Sequence, residues 1–354
     1  MFLSKKLVLT TGLAGALVAV GLSGSAAPAS AAACSSTYVK GDVFASVGNG
    51  TVDAFTPTGT LLCTLNNGTG STFTTGSGFD NNENFYVTNF GPGGVSKFDN
   101  SGGLVASTFM ANGAVTSPES VNIVSKGTFA GSTFVGGPDT PSIDQYNTST
   151  GALIKSWSVE GGNDTGGTDW TDMALDGNTI LYDGEGTAIR SFNLSTNTQN
   201  ADFTSAATES ALEHIYEFRV IPVGADAGDV LVANSGDAVL LDSSGDIIET
   251  YTLPGNADGD FALNLDPNGV DFWTGDFNNG EMWELNIATG AIVQQWNTGA
   301  PGALFGVSVV GEITSGGGGT VPEPSTWVMM IAGFAGMGYV AYGRRGSKTA
   351  PAAA

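Results

Sequence analysis

Carboxylates are the most abundant groups in this chain that could do chemistry. The sequence has 34 acidic residues, one histidine (His214) and two cysteines (Cys34 and Cys63). Zinc sites usually need several histidine or cysteine ligands, and a catalytic triad needs a histidine with defined partners. His214 stands near two glutamates and is interpreted as a surface or loop residue. Carboxylate oxygens suit Ca²⁺, which takes about six to eight oxygen ligands, so calcium is the one cofactor that this composition suggests.

A repeated element must position these groups. Six times the sequence has an apolar-alternating run, a polar turn and a second such run that ends in an aromatic residue or leucine. The six segments are Thr51–Leu65, Gly94–Phe109, Ser142–Trp157, Ala188–Phe203, Ala238–Tyr251 and Glu281–Trp296. Their turn residues are Gly59, Gly102, Gly151, Asn197, Gly245 and Gly290. Alternation with period two predicts strands with one buried face, and Gly or Asn tolerates the left-handed backbone of a tight turn.

Two more strand candidates precede each hairpin after the first, for example Phe261–Asp266 and Asp271–Thr274 before the sixth. Four short strands in about 46 residues, repeated, is the pattern of a β-propeller blade. The first unit has only Asp42–Val47 before its hairpin, and a lone candidate strand, Leu304–Val310, follows the last. The sequence therefore predicts an all-β fold, a six-bladed β-propeller closed by its C-terminal strand. A seven-bladed ring with one degenerate blade is the alternative.

In a propeller, the loops between blades and the loops inside the middle hairpins share one face. On that face the sequence places one amide and eleven acids: Asn89, Glu119, Asp139, Asp169, Asp172, Asp183, Glu185, Glu213, Asp237, Asp258, Asp260 and Asp276. Glu119 and Asp172 are the candidate metal ligands, and segment 169–176 is the best single candidate region. The alternative is that these acids are simply solvated and keep the protein soluble.

Tryptophan side chains could stack on sugar rings, which would indicate a carbohydrate site. Trp157, Trp283 and Trp296 fall on repeated core positions, so packing between blades explains them better. Trp170 lies in a loop, where it could be exposed.

Short motifs in the repeat resemble a known group of propellers. Tyr86-Val87-Thr88-Asn89, followed by the segment 94–99, looks like the YVTN-type repeat. The wider group includes NHL-like and gluconolactonase/SMP-30-like six-bladed propellers. In the gluconolactonase-like members a metal-binding acid or amide lies near such strand starts, where Asp172 or Glu119 would occupy matching places. This resemblance implies a rival function for the chain, that of a calcium-dependent hydrolase or lyase.

The N-terminus has the features of a secretory signal. Lys5 and Lys6 precede an apolar run and a stretch of small residues that ends at Ala33. This pattern predicts a signal peptide over residues 1–33, with an apolar helix, cut by the Sec signal peptidase after Ala31 or Ala33. In an oxidising compartment Cys34 and Cys63 would form a disulfide, and two buried thiols are the alternative.

The C-terminal segment combines a hinge, an apolar run and a basic stop. The hinge reads Val321-Pro322-Glu323-Pro324-Ser325-Thr326. The apolar run covers residues 327–342, and Arg344 and Arg345 follow it. At ~1.5 Å per residue this run would span roughly 24 Å, short for a hydrocarbon core of about 30 Å. Positive charge after the run predicts a transmembrane helix over 327–342 whose C-terminus faces the cytoplasm.

This order of hinge, helix and basic stop resembles the PEP-CTERM sorting signal, here residues 321–346. The resemblance implies that an exosortase processes the tail, and that the protein reaches the cell surface or a biofilm matrix rich in exopolysaccharide. An ordinary stop-transfer anchor that is never cut is the alternative. The predicted domains are then a propeller over 34–310, a Gly-rich linker over 311–320, the sorting signal, and a disordered tail over 347–354.

The charge of the chain between its two signals limits its partners. Residues 34–320 contain six basic and 33 acidic residues, a net charge of −27. Such a surface repels nucleic acid and anionic lipid, so a nucleic-acid partner is excluded. The expected partners are the exosortase, the membrane before processing, and polysaccharide or other surface proteins. The leading interpretation is an exported binding or structural module with no catalytic residue assigned.

Overall fold

The computed structural model describes Cys34 and residues 37–314. Within them lie 24 β-strands and one turn of helix, α1 (Ala206–Glu209). The first eleven strands are β1 (Val43–Gly48), β2 (Thr51–Phe55), β3 (Leu61–Asn66), β4 (Ser77–Phe79), β5 (Phe85–Thr88), β6 (Val95–Phe98), β7 (Leu104–Met110), β8 (Ser120–Val124), β9 (Ser132–Gly136), β10 (Ser142–Asn147) and β11 (Leu153–Ser158). The others are β12 (Thr171–Met173), β13 (Thr179–Tyr182), β14 (Arg190–Asn193), β15 (Thr198–Gln199), β16 (Glu217–Val220), β17 (Val230–Asn234), β18 (Asp237–Leu241), β19 (Ile247–Tyr251), β20 (Asp260–Leu265), β21 (Asp271–Asp276), β22 (Glu281–Asn286), β23 (Ile292–Asn297) and β24 (Gly306–Val309).

The strands form six antiparallel sheets of four strands each, arranged as a ring. The first sheet has the order β24-β1-β2-β3, and each of the others takes four consecutive strands. The innermost strands touch in the circular order β24, β4, β8, β12, β16, β20 and back to β24. Six radial sheets that close in this way are a six-bladed β-propeller. The predicted all-β fold class is confirmed, and the seven-bladed alternative is wrong.

The hydrophobic core is divided into six clusters, and each one lies between two neighbouring blades. Between the first two blades, for example, Phe44 packs with Phe85 and Phe98. Between the sixth and the first, Trp273 packs with Val43 and Val309 in the same way. The remaining clusters fill the other four junctions. Apolar residues on both faces of each sheet therefore pack against the neighbouring blades and hold the ring together. Because every blade needs these residues at the same positions, the repeat is visible in the sequence.

The turn residues of the repeat have the backbone conformation that the sequence predicts. All six have positive φ, from 56° at Asn197 to 85° at Gly102. At Gly59 a second constraint applies, because a Cβ would stand 2.5 Å from Cγ of Trp296. The outer turn of the first blade thus lies on the aromatic residue that ends the sixth. Glycine is required there by both φ and space.

The C-terminal strand completes the first blade. Residues Val43–Ser46 of β1 pair with β24, with Val43 opposite Val309 and Ser46 opposite Gly306. The hydroxyl of Ser308 lies 2.7 Å from that of Ser77 in the next blade. The predicted closure of the ring by the C-terminal strand is therefore confirmed.

Chain segments next to the ring are fixed to it by specific contacts. The structure contains the disulfide between Cys34 and Cys63, with the two Cα atoms 5.0 Å apart. After β24, Ile313 is 2% exposed and packs in the cluster between the fifth and sixth blades. The described chain therefore stays packed against the ring almost to its last residue, Thr314.

Three of the tryptophans lie as expected and one does not. Trp157 and Trp283 are buried in clusters between blades, and Trp296 packs against another. Trp170, which its loop position left open to exposure, is only 2% exposed. It lies beneath the guanidinium of Arg219, whose Cζ is 5.3 Å from the ring centroid, so the loop before β12 folds inward.

Both predicted terminal helices lie outside the part of the chain that the structure describes. They are the signal segment 1–33 and the apolar run 327–342. Within residues 37–314, no helix has the length and apolar character needed to cross a bilayer.

Candidate binding site at the mouth of the channel

The topology of the blades gives the ring two different faces. Loops that join successive blades, and loops between the second and third strand of each blade, meet at one end of the central channel. We call this end the mouth face; it includes residues 110–120, 158–171 and 182–190. The opposite end, the exit face, carries the remaining turns and residue Thr314, which follows β24.

Three carboxylates from two neighbouring blades converge on the mouth face. Glu119 directly precedes β8, Asp169 precedes β12, and Glu185 lies in the loop between β13 and β14. Their ligand oxygens all lie within 4.8 Å of one another. The Thr165 hydroxyl donates a 2.6 Å hydrogen bond to Oδ2 of Asp169 and so fixes one member. The separation suits oxygens that share one cation at the usual calcium distances of about 2.3–2.6 Å.

The electrostatics of this carboxylate group favour the binding of positive charge. Burial, together with Asp169, Glu185 and Asp183, raises the pKa of Glu119 well above its usual range. Burial raises the pKa of Asp169 to about 6, and burial with the charge of Asp169 raises the pKa of Glu185 to about 7. Burial and Asp169 also raise the pKa of Asp183. Without a cation these groups must hold protons to relieve their repulsion.

Two oxygens at this site have no hydrogen-bond donor among the described residues apart from carboxyl groups, since Glu119, when protonated, hydrogen-bonds to Asp169. They are Oδ1 of Asp169 and Oδ2 of Asp183, whose residues are 1% and 0% exposed. Buried carboxylate oxygens are normally paired, because an unpaired one costs desolvation energy. A cation would satisfy both the charge and the free oxygens.

The structure separates the two residues that the sequence indicated as metal ligands. Glu119 belongs to the mouth group, whereas Asp172 lies on β12 inside the channel. There Asp172 accepts hydrogen bonds from Asn122 Nδ2 at 2.5 Å and from the Val220 amide at 2.8 Å. Burial raises the pKa of Asp172, and the nearby Arg219 opposes this. Asp172 is thus part of a structural polar network.

Side chains fill the middle of the channel. Arg219 is 5% exposed and forms an ion pair with Glu217 at 3.0 Å. Glu312 reaches the same region from the segment after β24. The cavity that these side chains line with Asn122 and Asp172 has a volume of about 10 Å³. That is room for about one water molecule between these side chains.

Aromatic rings occupy the other half of the mouth face. Six partly exposed or buried rings from the first, second, fifth and sixth blades form a connected series, which we call the aromatic arc: Phe90, Phe73, Phe305, Phe277, Phe261 and Tyr216. Neighbouring centroids are 4.5 Å apart for Phe73 and Phe305, and 4.8 Å for Tyr216 and Phe261. The mouth face therefore has an aromatic half, and the three converging carboxylates lie in its other half.

His214 connects the two halves. Its ring lies 4.3 Å from that of Tyr216, and its Nε2 is 4.0 Å from Oε2 of Glu185. Burial lowers the pKa of His214, which favours the neutral imidazole. The loop position agrees with the sequence interpretation. Asp169 begins the segment 169–176 that the sequence indicated as the best candidate region, whereas Glu185 was only one of the eleven acids placed on this face.

Comparison with known proteins bears on the C-terminal segment. Residues 320–345 match the PEP-CTERM protein-sorting motif. The match includes the predicted hinge 321–326 and the basic stop at Arg344 and Arg345. No curated protein matches the chain. The motif implies an exported, membrane-anchored precursor that an exosortase handles, and the described residues add a six-bladed propeller to it.

Proposed function

We propose that this chain is an exported binding module, delivered by exosortase processing to the cell surface or a biofilm matrix, whose propeller holds Ca²⁺ at its mouth. The observation that carries the calcium proposal is the convergence of Glu119, Asp169 and Glu185 on one point, with Asp183 beside them. Burial raises the pKa of each of these groups, and the charge of Asp169 raises the pKa values of the other three further, so the group favours a bound cation.

A bound calcium ion with open coordination positions would bind oxygen atoms of the partner molecule directly. Hydroxyl and carboxylate oxygens of a polysaccharide are hard ligands of the kind that complete a calcium shell. The link of the sorting motif with exopolysaccharide makes such a polymer the preferred partner, and another surface protein the second choice.

The rival function, a calcium-dependent hydrolase or lyase, would use the same mouth. Two observations favour the binding module over it. Arg219 and Glu312 fill the channel below the mouth, and Asp172 is engaged in hydrogen bonds away from the cation group. The rival predicts turnover of aldonolactones that depends on Glu185, which an assay with and without calcium measures directly.

Thermal unfolding of the full-length chain tests the calcium proposal. Ligand at about 100 times its Kd stabilises a fold by about 2.7 kcal/mol, which for a protein of this size raises Tm by about 5 °C or more. We expect that rise when calcium replaces EDTA, and its loss in Glu185→Gln. Glu249→Gln, an exposed acid on β19, is the matched control and should keep the full rise. An equal Tm in EDTA and in excess calcium would refute the proposal.

A further inference from the structure

A second pocket on the mouth face lies within the aromatic arc, away from the carboxylate group. It has a volume of about 230 Å³ and is lined by Tyr216, Asp258, Gly259, Phe261, Phe277, Asn278 and Phe305. Four aromatic rings and one carboxylate thus surround a space open to solvent. Nothing in the calcium proposal uses these residues.

The walls of this pocket are held in place by packing and hydrogen bonds. Phe305 contacts Phe277 and Phe261, with centroids 4.7 and 5.7 Å away, and Tyr216 stacks on Phe261. The loop before β20 is tied to the loop after β21 because the Ala257 amide donates to Oδ2 of Asp276. Asn278 Nδ2 donates back to the Ala257 carbonyl at 2.9 Å. The pocket is therefore preorganised, which lowers the entropic cost of binding a ligand.

The charge around the pocket selects for a cation. Among the described basic residues, Lys40 and Lys126 lie in exit-face turns and Arg219 lies in the channel. Lys97 on β6 and Lys155 on β11 lie over the rings of Phe109 and Trp157, with Nζ 4.6 and 3.2 Å from the ring centroids. Arg190, at the mouth end of β14, is engaged by Glu160 and Asp202 at 3.4 and 3.5 Å. The pocket thus combines four aromatic rings, whose π faces attract cations, with Asp258 in its lining and the field of an acidic surface.

The donor set decides which kind of cation fits. Calcium needs about six or more oxygen ligands, and the aromatic rings supply none. An organic ammonium group fits, because its alkyl substituents contact the rings while its charge interacts with their π faces. We propose that this pocket binds an organic ammonium group, with N-methylated amines as the best match, and that Asp258 supplies the counter-charge.

Titration of the full-length chain in EDTA with choline chloride tests the proposal. The matched control ligand is 3,3-dimethyl-1-butanol, which has the same shape as choline and no charge. We expect saturable choline binding and an affinity for the neutral alcohol about tenfold lower. Equal affinities would overturn the proposal in favour of a merely apolar pocket, and the absence of saturable choline binding would overturn it entirely.

Two conservative variants test whether choline binds in this pocket. Phe277→Leu removes one ring, and Asp258→Asn removes the counter-charge while asparagine still tolerates the φ of 58° at this position. Each should weaken choline binding about fivefold or more. Phe90→Leu, in the arc but outside the pocket, should leave it unchanged, and choline binding that all three variants retain would place the ligand elsewhere. Glu185→Gln should also leave choline binding intact, so failure of the calcium proposal and failure of this one are distinguishable.

Discussion

Glu185 has a strongly raised pKa because it is buried beside other carboxylates of the mouth face. Burial and Asp169 raise its pKa from 4.5 to about 7, and burial raises that of Asp169 from 3.8 to about 6. Without metal, the folded chain therefore binds protons between about pH 4 and 7 that the unfolded chain releases. The free energy of unfolding is therefore highest at pH values below the pKa that these groups have in the unfolded chain. It falls as the pH rises from that value to the pKa of the folded chain. For Glu185 alone this amounts to about 3 kcal/mol.

Unfolding in EDTA at pH 5 and pH 8 measures this effect. We expect the free energy of unfolding to fall between these pH values, and Glu185→Gln to reduce the fall because the neutral amide has no charge to desolvate. Calcium should restore stability at pH 8, where the carboxylates are ready to bind it. A free energy of unfolding that rises from pH 5 to pH 8 in EDTA would contradict this assignment.

Gly59 shows how a single backbone position joins two blades. Its φ is +78°, and an added Cβ would meet the Trp296 ring at 2.5 Å. Gly255 has a similar φ of +83° with nothing within 4 Å of an added Cβ. Gly255→Ala should therefore cost about 1 kcal/mol for backbone strain alone. Gly59→Ala should cost about 1–3 kcal/mol more, since Trp296 must move. Denaturant unfolding of both variants measures the difference, and equal losses would show that the contact with Trp296 carries no energy.

At the scale of elements, β24 decides whether the ring is one cooperative unit. Val309 is 0% exposed and lies in the cluster between the first and sixth blades. Val309→Asp places an unpaired carboxylate there and should cost about 4 kcal/mol or more, lowering the midpoint for the whole ring. The control is Val293→Asp on β23, where the side chain is 50% exposed and the loss should be small. Similar midpoints for the two variants would mean that closure contributes little.

The elements themselves were predictable because their signals are local. Alternation over five or six residues and a positive-φ turn at Gly59, Gly151 or Gly290 depend only on neighbours in sequence. The lone strand candidate after the sixth repeat was enough to predict closure, because an incomplete first blade leaves an unpaired edge. The burial of Trp170 could not be predicted from local sequence, because Trp170 packs beneath Arg219 from the next blade.

The candidate site was harder to predict from the sequence, because the placement of its side chains depends on residues that are distant in the chain. Of the two candidate metal ligands, Glu119 lies in the mouth group, but Asp172, only three residues from Asp169, points into the channel. Side-chain direction near the start of a three-residue strand depends on register and on partners about fifty residues away, such as Val220 and Asn122. The aromatic pocket draws Tyr216, Phe277 and Phe305 from two blades and the closing strand, so no local pattern marks it.

At the scale of the whole molecule, the two faces carry different surfaces. The exposed large apolar residues of the described chain lie toward the exit face, in its turns and at the starts of outer strands. They are Val39, Leu61, Leu62, Leu104, Val105, Leu153, Ile154, Leu175, Ile248, Val270, Ile292 and Val293. Thr314 also leaves from this face, toward the sorting motif at residues 320–345. The described chain therefore continues toward the sorting motif from the face opposite the mouth.

Processing of that tail gives the last prediction. The hinge carries Pro322 and Pro324. Proline fixes φ and lacks a backbone amide, so we expect these two residues to end the predicted helix over 327–342 at the hinge. In a host with an exosortase, Pro322→Ala together with Pro324→Ala should let the chain accumulate as a membrane-bound precursor. The unaltered chain should instead yield a mature form that starts after Ala31 or Ala33 and lacks the apolar run 327–342. Pro254→Ala, in a ring loop, is the control and should be processed normally. Mass spectrometry of membrane and extracellular fractions measures both ends at once, and an identical mature mass from the double variant would show that the two prolines play no part in recognition.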